Sequence, residues 1–70
     1  MRAVVVVLWK GQTRRAERRF SSWRAYERFL QGLARGRWRR VYRSGAYLEA
    51  SRPGLYLEVL GWEEEGGEFS

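Results

Sequence analysis

Hydrophobic and polar positions fall into distinct regimes along this chain. Near its start, "AVVVVLW" is apolar at both alternating sets of positions, Ala3, Val5, Val7 and Val4, Val6, Leu8. A short valine-rich run closed by the polar "KGQT" predicts a strand from about Arg2 to Trp9, and apolarity on both sides predicts cover on both sides. "GQTRRAERR" follows, without periodicity, and is expected to be a basic linker. Ser21 or Ser22 then offers an N-cap for a helix ending near Gly36, which suits a C-cap. At about 100° per residue, Phe20, Trp23, Tyr26, Leu30, Leu33 and Ala34 fall on one side of that helix, with Phe29 at the margin. Arg24, Arg28, Gln31 and Arg35 form a second stripe.

The remaining runs, "RWRRVYR", "AYLEAS" and "LYLEVLGW", are separated by the turn signals Ser44-Gly45 and Pro53-Gly54. Two-residue loops at both turns set Tyr42 opposite Tyr47, Val41 opposite Leu48, Arg40 opposite Glu49 and Leu48 opposite Val59. One face then collects Val41, Ala46, Leu48, Ala50, Leu55, Leu57 and Val59, an aliphatic surface for the helix to cover. The other collects Trp38, Arg40, Tyr42, Tyr47, Glu49, Tyr56, Glu58, Leu60 and Trp62. A slip of one residue would exchange the two sets. The expected fold is α+β, in the order β-α-β-β-β, with one helix packed on one face of a mixed four-stranded sheet. The helix crossover would make the first strand parallel to its neighbour, with a right-handed connection. Residues 1–62 form the expected single domain, and 63–70, "EEEGGEFS" with the preceding strand removed, an acidic and mobile tail.

Composition narrows the chemistry. A chain of 70 residues with 44% hydrophobic content builds one small domain, which buries only about 60% of the surface its unfolded chain exposes. Cys, His, Asp and Asn are all absent. No disulfide, thiolate ligand or thiol nucleophile is available, and no cofactor or metal site is expected. "AVVVVLW" is too short to span a membrane and lacks the cleavage site of a secretory signal, so a cytoplasmic protein without membrane partners is the default. Thirteen of the 14 basic residues are arginine. With Ile and Asn missing, that bias points to a GC-rich, heat-loving source, so arginine abundance alone argues weakly for nucleic acid.

The distribution of charge argues better. Residues 1–43 hold 13 basic and 2 acidic side chains, and residues 44–70 hold 1 basic and 6 acidic. Lys10, Arg14, Arg15, Arg18 and Arg19 in the linker, with Arg24, Arg28 and Arg35 on the helix, are the candidate phosphate contacts. A solvated surface in an arginine-biased protein is the competing reading, and no RNA-recognition sequence motif accompanies the stripe. Trp38, Arg40, Tyr42, Tyr47, Tyr56 and Trp62 mark a candidate sheet-face interface. They could stack bases, but Glu49 and Glu58 in their midst would repel phosphate, which favours cover by a second subunit, most simply in a homodimer.

Enzyme chemistry finds little to work with. A general base would have to be Glu, Lys10 or Tyr, and no small-molecule substrate is indicated. "GRWRRVYRSGAYLEA" is similar to the basic hairpin of RelE-type messenger-RNA-cleaving toxins over fifteen residues. That likeness would imply a small basic ribonuclease, but no basic or tyrosine residue follows the last strand to complete such a site. The sequence therefore points to a non-enzymatic module for RNA or single-stranded DNA. A self-associating structural domain with no nucleic-acid role is the alternative.

Overall fold

In the computed structural model, which describes residues 1–63, the chain runs β1 (Arg2–Trp9), β2 (Gln12–Arg19), α1 (Trp23–Ala34), β3 (Arg40–Ser44), β4 (Tyr47–Arg52) and β5 (Leu55–Trp62). The five strands form one sheet in the order β2-β1-β5-β4-β3, and every neighbouring pair is antiparallel. This corrects the expected mixed four-stranded sheet. The class is α+β, but the order is β-β-α-β-β-β, and the helix does not link parallel neighbours.

The supposed linker is the missing strand. Lys10 and Gly11 have φ of 52° and 78°, the two positive values that a tight hairpin loop requires and that glycine supplies without strain. The chain reverses there, and "QTRRAERR" pairs with β1 from Trp9↔Gln12 to Arg2↔Arg19. Every residue of β2 is exposed. Its place in the sheet comes from backbone pairing, extended by Phe20 N–H donating to the Met1 carbonyl at 2.8 Å. An open edge lined with arginine also discourages further strand addition.

Ser22 caps α1: its backbone is extended, and its hydroxyl accepts from Ala25 N–H. Tyr26 and Leu30 enter the core with Ala3, Leu48, Leu57 and Val59, while Phe20, Phe29, Leu33 and Ala46 pack around them. The expected apolar side of the helix is therefore the side that meets the sheet. At its other end the cap residue is Arg35, not Gly36. The Trp38 indole donates to the Leu33 carbonyl at 2.6 Å, satisfying one of the acceptors a helix end leaves open. Gly36 makes room for that indole, since a Cβ there would lie 2.7 Å from Trp38 Nε1.

The β4–β5 register, Leu48↔Val59 and Glu49↔Glu58, is the expected one. The β3–β4 register is displaced by two: the loop is Gly45-Ala46, with Val41↔Ala50 and Tyr42↔Glu49, and Arg40 stands opposite Ser51 instead of Glu49. An even displacement keeps every side chain on its face, so the aliphatic set stays on the helix side, with Leu48, Ala50, Leu57 and Val59 buried and Val41 on the edge strand 45% exposed.

Candidate functional site

The sheet has a helix-covered face and an open face, and strand alternation sorts the candidate residues between them. Ala3, in the core, sits opposite Arg18, and Val7 opposite Arg14, so Arg14 and Arg18 belong to the helix side. Arg15 and Arg19, one residue out of phase, belong to the open face. Lys10 stands in the β1–β2 turn with its ammonium 5.1 Å from the centre of the Trp9 ring. What looked in the sequence like one basic tract is thus divided over two surfaces.

Arg24, Arg28 and Arg35 are exposed and lie half a turn from the buried Tyr26 and Leu30, on the outer surface of α1. Arg18 reaches up from β2 to the helix, its guanidinium 4.9 Å from the Phe29 ring and 5.4 Å from the Phe20 ring. Stacking of this kind leaves the edge of a guanidinium free to donate. On the opposite flank, Arg43 of β3 donates from both terminal nitrogens to the carboxylate of Glu27, with Nη1 to Oε2 at 2.6 Å. The Arg43 bond holds the Glu27 carboxyl below its ordinary range, and Glu27 in turn raises Arg43. The sole acid of α1 is already paired. The helix layer therefore presents Arg14, Arg18, Arg24, Arg28 and Arg35, and the one carboxylate of α1 among them is held by Arg43.

The open face holds rows running across the strands. Its middle row reads Arg15, Val6, Glu58, Glu49, Tyr42 from β2 to β3. On one side lie Glu17, Val4, Leu60, Tyr47 and Ser44, and on the other Thr13, Leu8, Tyr56, Ser51 and Arg40. Five of the six expected face residues, Arg40, Tyr42, Tyr47, Tyr56 and Trp62, stand here. Trp38 does not: it precedes β3 and packs on the core side beneath the end of the helix. Alternation extrapolated past the first residue of a strand had placed it wrongly.

Glu49 and Glu58 sit directly opposite one another, an arrangement of like charges that costs stability by itself. The Tyr47 hydroxyl lies 2.6 Å from Glu58 Oε2 and 2.9 Å from Glu49 Oε1, and Tyr56 donates to Glu58 Oε2 at 3.2 Å. A phenol has one proton to give, so Tyr47 satisfies one carboxylate at a time. Its bond to Glu58, together with burial and Glu49, pushes the Tyr47 phenol far above its ordinary value. The described residues include no group of three or more acids able to hold a metal ion, and none of their helices is long and apolar enough to cross a membrane.

Compared with known proteins, the chain matches no family model, no curated protein and no solved structure.

Proposed function

We propose that this chain is a small non-enzymatic module that binds RNA or single-stranded DNA by laying its helix layer along a phosphate backbone. One observation carries the reading: Arg14, Arg18, Arg24, Arg28 and Arg35 share the helix side, where the sole acid of α1 is consumed by Arg43. A surface of this kind neutralises phosphates and releases their counterions without reading sequence. The open face is the poorer phosphate surface, because Glu49 and Glu58 occupy its centre. The non-enzymatic part rests on chemistry. His, Asp and Cys are missing from the chain, and the phenol of Tyr47 is raised, the reverse of what a phenolate base needs. A cytoplasmic location belongs to the same reading.

The test is binding of labelled RNA and single-stranded DNA pools by fluorescence anisotropy over a salt series. Replacing Arg24, Arg28 and Arg35 together by glutamine is expected to weaken both ligands alike. The salt slope should flatten by about one unit per lost contact. These side chains are exposed and point away from the core, so the fold should persist. Wild-type affinity in the triple variant, or no wild-type binding at about 50 mM salt, would show that the arginines only solvate the helix.

A further inference from the structure

The open sheet face is self-complementary, and we infer that it is covered by a second copy of this chain in a two-fold dimer. Tyr42, Leu60 and Trp62 are 57%, 54% and 40% exposed there, beside Leu8 at 41%. Val4 and Val6 share this face, and with Arg15, Glu58, Leu60 and Trp62 they line a shallow depression. Leu8, Leu60 and Trp62, exposed together on one face, are expected on a surface that has a partner.

The order of residues across the face says which partner. A two-fold axis parallel to the strands and running between β1 and β5 exchanges β2 with β4 and β1 with β5. In the middle row it sets Arg15 of each copy over the partner's Glu49. In the flanking rows it sets Val4 over the partner's Leu60 and Leu8 over the partner's Tyr56. Charge thus meets opposite charge at Arg15 and Glu49, and apolar residues meet apolar ones at Val4 and Leu60 and at Leu8 and Tyr56, while Val6 falls over the partner's Glu58, whose carboxylate already accepts from Tyr56. The small rotation between packed sheets is well within the reach of an arginine. The arrangement also brings positive charge to the carboxylate pair: Tyr47 and Tyr56 offer Glu49 and Glu58 only neutral phenol donors, and the partner's guanidinium adds a charge-assisted one. Among the described residues Arg15 forms no ion pair within its own chain. Five strands about 4.8 Å apart, up to 8 residues long, make a face roughly 20 by 25 Å. At ~500 Å² in projection, with β3 outside the overlap, it is smaller than the ~800 Å² per partner of a standard interface and falls at the small end of specific contacts.

Sedimentation equilibrium of the wild-type protein should give twice the 8.3 kDa chain mass at low micromolar concentration. Arg15→Glu is expected to weaken association by on the order of a hundredfold. Combining Arg15→Glu with Glu49→Arg in one chain should restore the dimer, because each copy then offers the pair with its signs exchanged. Leu60→Glu, exposed in the single chain and therefore compatible with folding, should also dissociate it. Circular dichroism checks that each variant is folded. A wild-type monomer at several hundred micromolar, or a dimer that Arg15→Glu and Leu60→Glu both leave intact, overturns the inference. Neither result bears on the helix face, whose binding is read separately by anisotropy.

Discussion

The ring of Tyr26 occupies the space that a Cβ on Gly61 would need: such an atom would fall 2.5 Å from Cζ and 2.6 Å from the hydroxyl oxygen. The ring cannot retreat easily, since it is fully buried and its hydroxyl donates to the Ala46 carbonyl across the β3–β4 turn. Gly61 therefore lets the helix sit close to β5. Gly61→Ala is expected to cost about 1–3 kcal/mol by overpacking, measured by urea unfolding. The same change should cost less in a Tyr26→Leu background, where the obstructing ring is gone. Equal costs in the two backgrounds would remove Tyr26 from the explanation. Nothing in the sequence marked this pair. Tyr26 was legible as a core residue from its helical spacing, but the contact with Gly61 depends on how the helix lies on the sheet.

Among the elements, α1 is held between the two edges of the sheet, by Arg18 beneath Phe29 on one flank and by the Arg43–Glu27 pair on the other. The second attachment is sensitive to acid. Glu27 is depressed below its ordinary value by Arg43, so its contribution is fully present above that ordinary value and is lost as pH falls through the lowered one. Acidification should lower the melting temperature of the wild-type protein more than that of Arg43→Gln, followed by circular dichroism. Identical acid profiles would mean that the pair is ornamental. The helix and the meander of β3, β4 and β5 could be anticipated because their apolar residues repeat with the right periods and their turns carry glycine. Strand β2 could not, because Ala16 is the one apolar residue in "QTRRAERR", and a strand held by backbone pairing leaves no side-chain pattern. Lys10-Gly11 was the available clue. Missing β2 also hid the division of the arginines, since only a strand sends Arg14 and Arg15 to opposite faces.

For the molecule as a whole, the two faces differ in charge as well as shape, with arginine dominating the helix side and carboxylates at the centre of the other. The expected acidic tail, 63–70, falls outside the described residues except for Glu63. Its sequence tethers Glu63, Glu64, Glu65 and Glu68 to the chain that carries the arginine surface, and on the proposed function they are expected to compete with phosphate at a high effective concentration. Truncation after Trp62 is expected to strengthen nucleic-acid binding at low salt, and unchanged affinity would reduce the tail to a solubilising end. The pairing of β1 with β5, from Arg2↔Trp62 to Trp9↔Leu55, gives this sheet a temporal order as well. On a ribosome the first strand emerges long before its central partner has been made. Until β5 arrives, the β1–β2 hairpin must wait with one valine-rich flank unpaired, a template for any passing extended chain. Because these closing contacts are also the most distant in sequence, the sheet is expected to close late, and a nascent chain stalled before Leu55 to be left with the β1 edge unpaired.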